Sequence, residues 1–357
     1  MMKILLTTVP GIEDLIPVEI NKVLSLGDAV KSYEIRRLKG RLFIELADER
    51  FLEDFLRKII RNSGLVDNIY LLTEEIKIKN IDEISMKIKD FLLILKDMIT
   101  NYTFFAIVSS RIEKNSTNVT SIQLSETLGS IIRESYPIIF PVSLDDPDLV
   151  IYAESEKNIV RLGFNITFRN PLHRRRYRRY KHPSMINPII ANALCYLGKI
   201  HYQKVVLDPM CGSGTILIEC KRLNPECECY GFDINPRHIQ GAKLNSEIAN
   251  FGRIFFEVSD ICELPHRLKE LAVDAIITNP PFGVRERAKG GLYKVYRCLF
   301  DLAEKVLRSD GLLILLTSRS GLIKELLEKY KFSFDIIEKR TIIEGGLLSN
   351  IFVIERK

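Results

Sequence analysis

The stretch KVVLDPMCGSGTILIECKRL, residues 204–223, carries a strand, a turn and a helix in succession. Val205, Val206 and Leu207 form a continuous apolar run, as expected for a strand buried on both faces of a parallel sheet. Asp208 ends that run. Gly212 and Gly214 then let the backbone turn tightly and approach a ligand, and TILIECKRL follows with helical character. The turn lacks the G-K-[ST] ending of a phosphate loop and has only one glycine pair, so it is not G-x-G-x-x-G either. An acid at the strand end is a poor host for pyrophosphate and a good one for an ammonium group.

The same strand–helix alternation continues to the end of the chain. CYGFDI, RIFFEVSD, VDAIITNPP and GLLILLTS read as strands, and PRHIQGAKLNSEIA, residues 292–308 and SGLIKELLEKY as helices. Apolar strands alternating with helices predict a doubly wound α/β sheet. FDIIEKRTI and SNIFVIERK have no helix between them and should form an antiparallel hairpin. In open sheets of this kind ligands bind beyond the carboxyl ends of the strands. Asp233, closing the second strand, is placed to bond a ribose diol. Asp260, closing the third, can accept from an adenine amino group. Each Asp alone would read as a helix cap or turn residue. Together, three acids at successive strand ends match an ammonium, a ribose and an adenine, the groups carried by S-adenosylmethionine.

The fourth strand ends in TNPPFGVR, residues 278–285. Asn279 offers an amide oxygen and Pro280 a backbone carbonyl. Proline fixes its own φ and restricts the residue before it, so these acceptors are pre-set. Two acceptors of this kind can orient a planar exocyclic amine, and Phe282 can stack on a base.

With DPMCGSGT, GFDINP and TNPPFG in this order and spacing, residues 188–357 resemble a Rossmann-like class I methyltransferase domain with a seven-stranded sheet. The resemblance implies S-adenosylmethionine as cofactor, held by Asp208, Pro209, Met210, Cys211, Gly212, Ser213, Gly214 and Thr215, by Asp233 with Ile234, and by Asp260 with Ile261. It makes Asn279, Pro280, Pro281 and Phe282 the catalytic motif, with Asn279 also at the cofactor. A cysteine nucleophile, expected for methylation at a ring carbon, is not offered by Cys211 or Cys262.

Net charge is +6, but its distribution is more telling. No Asp or Glu occurs between Lys157 and Leu207, a span with eleven basic residues, so the rest of the chain is net negative. A basic belt on an acidic protein is the footprint of a phosphate-backbone binder. Its centre, HRRRYRRYKH at 173–182, interleaves Arg174, Arg175, Arg176, Arg178, Arg179 and Lys181 with Tyr177 and Tyr180, and is read as RNA-binding. His182 and Pro183, at the end of this linker, should reach the cofactor pocket. The seven cysteines show no doubled C-x2-C and are read as reduced thiols, with no metal. No apolar run is long enough to span a membrane, and the N-terminus reads as a strand rather than a signal peptide. A cytoplasmic location is therefore expected.

The N-terminal half mixes strands and helices, with a helix over IEDLIPVEINKVLSL and a polar loop holding Asn115, Ser116, Thr117 and Asn118. TTVPGIEDLIPVEI and FFAIVSSRIEKNSTNVTSIQLSETLGSII are similar to the α+β ferredoxin-like and THUMP domains of tRNA-modifying enzymes. The resulting division is a ferredoxin-like domain at 1–64, THUMP at 65–166, a basic linker at 167–187 and the methyltransferase at 188–357. The whole resembles the THUMP-domain tRNA (guanine-N2)-methyltransferases. That resemblance implies a monomer that binds the tRNA acceptor stem and 3′ end through THUMP, flips out a guanosine at acceptor-stem position 6 and methylates its N2. Methylation at another guanosine such as position 10, N6 methylation of adenine, modification of a protein glutamine amide, and a silent RNA-binding role remain open.

Overall fold

Fourteen strands sort into two sheets of seven among the residues that a computed structural model describes, 3–98, 104–112, 119–136, 141–283 and 291–357. The polar loop expected at 115–118 lies outside these residues, as do Val284 and Arg285. The chain divides into two compact units, one of Met1–Thr8 and Pro17–Leu172, the other of Val9–Ile16 and His173–Lys357. No described helix is long and apolar enough to cross a membrane.

The first sheet comprises β1 (Lys3–Thr7), β2 (Val30–Arg36), β3 (Arg41–Leu46), β4 (Asn68–Lys77), β5 (Phe105–Arg111), β6 (Leu149–Glu156) and β7 (Ile159–Asn165). Their spatial order is β2-β3-β1-β4-β7-β6-β5. Only β5 and β6 run parallel; the other neighbours are antiparallel. Helices α1 (Leu15–Val18), α2 (Leu52–Asn62), α3 (Glu83–Lys87), α4 (Lys89–Met98) and α5 (Ser121–Ser135) punctuate this half of the chain. In α5 a capping box between Thr120 and Gln123 satisfies the first turn. Its Leu124, Leu128 and Ile132, spaced to share one helical face, pack with Phe91, Phe105 and Leu162.

The helix expected over 12–26 is broken into α1 and a π-helical turn at Glu19–Val23. Pro17 falls inside it, and Glu19 is fully buried, its carboxylate accepting from Ser63 Oγ at 2.5 Å and Gly64 N at 2.8 Å. Those tertiary bonds override the helical periodicity.

The first sheet also carries a buried ionic network. Glu154 has no solvent exposure and accepts from Arg41 Nε (2.9 Å), Arg161 Nη1 (3.3 Å) and the Tyr152 hydroxyl (2.7 Å). Arg161 also binds Glu75 and Glu156, each at 3.0 Å, and lies over the Phe43 ring.

The second sheet holds β8 (Val205–Asp208), β9 (Glu228–Asp233), β10 (Ile254–Val258), β11 (Val273–Thr278), β12 (Leu307–Thr317), β13 (Phe334–Glu344) and β14 (Leu347–Arg356), ordered β10-β9-β8-β11-β12-β14-β13. The first five are parallel neighbours, and β14 runs antiparallel between β12 and β13, as the sequence predicts. Helices α6 (Pro188–Leu197), α7 (Thr215–Leu223), α8 (Pro236–Ala249), α9 (Leu264–Arg267), α10 (Leu292–Val306) and α11 (Ser320–Lys329) alternate with the strands. Leu207, Ile276 and Leu313 on neighbouring strands are completely buried; truncating any of them to alanine would cost about 2–5 kcal/mol.

The cysteine reading needs correction: Cys262, after β10, and Cys298, in α10, form a disulfide. They lie 36 residues apart in a chain read as reduced, and only the packing of α9 against α10 brings them together. The other five cysteines are free and buried. No group of three metal-ligating side chains occurs among the described residues.

Candidate active site

Parallel strand order puts the carboxyl ends of β8, β9, β10 and β11 along one edge. Ile276 pairs with Leu207, so Asp208 and the Thr278–Asn279 step stand at the ends of adjacent strands. Cys211 N bonds Phe232 O at 2.8 Å, Gly212 N bonds Asp233 Oδ2 at 2.9 Å, and Ser259 N bonds Asp233 O at 3.1 Å. These bonds stitch the glycine turn to the ends of β9 and β10.

The turn meets the expectation of its sequence. Gly212 and Gly214 have φ of +51° and +78°, a region that favours glycine, and Gly214 caps α7. Asp208 is buried, with Met210 N donating to its Oδ1 at 3.1 Å. Burial pushes its carboxyl up to about 7. Asp233 is buried and accepts from Asn235 N at 2.8 Å; His238 Nδ1 lies 3.2 Å from the same Oδ1. Asp260 is half-buried, bonded by Cys262 N at 3.0 Å. Ile234 is exposed on the rim and Ile261 is buried. Pro209, Cys211, Ser213 and Thr215 are buried in the turn, with Met210 half-buried.

His182 does reach this edge. Its ring stacks on His238 with centroids 4.5 Å apart. A Cβ on Gly212 would stand 2.9 Å from its Nε2, so glycine is what lets the two meet. Pro183 beside it is exposed.

At the end of β11, Pro280 is buried while Asn279, Pro281 and Phe282 are half-buried. Asn279 Oδ1 is buried and has no hydrogen-bond partner among the described residues. Leaving such an acceptor unpaired costs about 1–3 kcal/mol, and a donor supplied by a ligand would recover it. A buried, proton-hungry acid at one strand end and an orphan amide oxygen at the next fit a cofactor with an ammonium group beside a substrate with an N–H donor.

The basic segment is not a free linker. Arg175 Nε (3.1 Å) and the Tyr177 hydroxyl (2.8 Å) both donate to Glu219 Oε1, while Arg222 Nε (2.7 Å) and Asn192 Nδ2 (3.2 Å) donate to Oε2. Burial alone would raise the Glu219 carboxyl, but Arg175 and Arg222 more than offset it and hold it at about 2. The stability this gives is complete above the usual Glu range and is lost as pH falls through about 2. Asn245, also buried, accepts from Arg179 N (3.0 Å) and Tyr180 N (2.9 Å), and its Nδ2 donates to Ser213 O at 3.2 Å. Tyr180 lies against Gly241, where a Cβ would come within 2.0 Å of its ring. The strap therefore lies tied along α7 and α8.

Its side chains divide between inward and exposed positions. Arg174, Arg176, Arg179 and Lys181 are exposed. Arg175 and Arg178 are half-buried, and Tyr177 is buried at 5% exposure. The RNA-facing reading is thus corrected for Tyr177, which is buried with its hydroxyl on Glu219, while the half-buried Arg175 has its Nε on the same carboxylate. Arg178 is likewise turned in, its Nη2 on Ile186 O at 3.2 Å. Glu219 and Asn245 were missed in the sequence, where each is an ordinary polar residue of a helix.

Comparison with known proteins agrees with this geometry. The RMKL-like methyltransferase domain family matches residues 175–344, and the THUMP domain family residues 79–165. A tRNA (guanine(6)-N2)-methyltransferase of Methanocaldococcus jannaschii is 29% identical over 390 aligned residues, covering 97% of this chain and 98% of that protein. One of the same name from Thermus thermophilus is 30% identical, covering 66% of this chain and 68% of that protein. Among solved structures, TrmN from Thermus thermophilus superimposes with a TM-score of 0.80 at 25% identity over 100% of both chains. With both domain types present and motif residues brought to one sheet edge, the chain belongs to the family of THUMP-containing tRNA (guanine-N2)-methyltransferases.

Proposed function

We propose that this protein transfers a methyl group from S-adenosylmethionine to the exocyclic N2 of a guanosine in the tRNA acceptor stem, at position 6. The observation that carries the reading is the buried Asn279 Oδ1, without a partner among the described residues, one strand away from the buried carboxyl of Asp208. Asp208 would bind the cofactor's ammonium, Asp233 its ribose diol and Asp260 the adenine amine. Bound there, the cofactor supplies an activated sulfonium methyl. Asn279 Oδ1 and the Pro280 carbonyl accept the two amine hydrogens and turn the nitrogen lone pair toward that methyl, while Phe282 stacks on the base. Rate gain comes from alignment and preset dipoles, so no strong base is required.

A paired stem guanosine must leave the helix to enter this pocket, at a cost of a few kcal/mol. The exposed Arg174, Arg176, Arg179 and Lys181 would hold backbone phosphates, and the THUMP domain the tRNA end. Of the M. jannaschii relatives, the one named for guanine 6 aligns over 97% of this chain and the one named for guanine 10 over 71%, which favours position 6. The test is incubation of unmodified tRNA transcript with S-adenosylmethionine, followed by nucleoside mass spectrometry and mapping. N2-methylguanosine at position 6 is expected; N6-methyladenosine, or no product, would defeat the reading.

A further inference from the structure

The acceptor loop is held from behind. Tyr296 in α10 and Thr317 at the end of β12 are completely buried. Their hydroxyls lie 2.7 Å apart, and the Tyr296 hydroxyl is 3.4 Å from the Pro281 carbonyl. Arg319 N donates to Thr317 Oγ1 at 3.0 Å, and Arg319 Nε donates to the Phe282 carbonyl at 2.8 Å.

One assignment of protons satisfies every contact. A carbonyl only accepts, so Tyr296 donates to Pro281 O; Thr317 then donates to Tyr296, and the Arg319 amide donates to Thr317. The chain runs from the Arg319 amide to Pro281 O, and the Arg319 side chain holds Phe282 O separately. Prolines fix φ at 280 and 281, and the two captured carbonyls fix the peptide planes after 281 and 282. The loop is thereby locked with the Asn279 oxygen left unpaired among the described residues.

We propose that Tyr296, Thr317 and Arg319 are positioning residues for methyl transfer: they do not touch the base but hold residues 279–282 in the amine-accepting geometry. The proposal rests on the functional reading above. Preorganised sites lose rate when small displacements are allowed, whereas binding of cofactor and tRNA draws mainly on Asp208, Asp233, Asp260 and the exposed basic side chains.

The test uses Tyr296→Phe, which removes one hydroxyl and keeps the ring, and Arg319→Met, which removes the donor at an exposed position. The readouts are N2-methylguanosine formation on tRNA, cofactor affinity by calorimetry and the thermal midpoint. Each variant should lower kcat at least about tenfold. KM for tRNA and Kd for S-adenosylmethionine should stay within about twofold, and the midpoint should hardly move. A kcat within about twofold of the unsubstituted protein would overturn the proposal, as would a loss that appears only in KM or in cofactor affinity. An unsubstituted protein that forms no N2-methylguanosine would instead strike the functional reading, and the proposal with it.

Discussion

The two seven-stranded sheets put their buried polar groups to opposite uses. In the antiparallel-rich first sheet, Tyr152, Glu154 and Arg161 lie within strands and Arg41 opens β3, and they satisfy one another. In the parallel second sheet, Asp208 and Asn279 are at strand ends, one with its carboxyl raised and the other with an oxygen unpaired among the described residues. Parallel strands bring all their carboxyl ends to one edge, while antiparallel strands divide theirs between two. The difference teaches where to look for chemistry: a satisfied network holds a fold, and an unsatisfied edge awaits a ligand.

The largest effect should come from breaking the satisfied network. Glu154→Ala removes the acceptor shared by the half-buried Arg41 and the buried Arg161, which keeps Glu75 and Glu156, and removing one partner of a buried ion pair costs about 3–5 kcal/mol. Thermal unfolding should report that loss, while calorimetry should find cofactor affinity unchanged. A stable variant would erase the contrast between the sheets.

Asn279→Ala should do the reverse. Removing a preset acceptor of this kind typically lowers kcat by about 10²–10³-fold. Because Asn279 Oδ1 has no partner among the described residues to lose, stability should hold or improve slightly. A fall in the unfolding midpoint comparable to that of Glu154→Ala would show that the oxygen is structural.

Asp208 gives a pH test. Its carboxyl is raised by burial to about 7, so its contribution to stability is full below the usual Asp range and lost as pH rises through about 7. Ammonium binding needs the ionised form. Cofactor affinity should therefore rise several-fold between about pH 6 and pH 7.5, below the range where an α-amino group deprotonates. Asp208→Asn should bind weakly and flatten that profile.

The smallest effects belong to the strap. Replacing any one of Arg174, Arg176, Arg179 or Lys181 by alanine should weaken tRNA binding a few-fold. Where a phosphate contact is lost, the salt slope should fall by about 1. Filter binding across a salt series would measure this. Arg175→Ala should instead lower stability, since its partner Glu219 is buried.

These contrasts follow what was legible in the residues. Asp208, Asp233, Asp260 and Asn279 could be placed before any coordinates because a strand end is a local event, marked by an apolar run followed by Gly or Pro. The antiparallel closing hairpin was legible for the same reason. Contacts between distant residues were not. Arg175 and Glu219 are 44 residues apart, and Arg41 and Glu154 are 113 apart. A run of arginines reads alike whether some side chains turn inward or all face solvent. The Cys262–Cys298 bridge and the Tyr296–Thr317–Arg319 chain are hidden similarly, since each joins a helix to a loop or strand end.

The central claim is that the pocket at Asn279 aligns a 2-amino group, and inosine is guanosine without that group. The most direct measurement is single-turnover methyl transfer to two tRNA transcripts, one carrying guanosine at position 6 and the other inosine there. Transfer to the guanosine transcript and none to the inosine transcript is the predicted result. Equal methylation of both transcripts would contradict it.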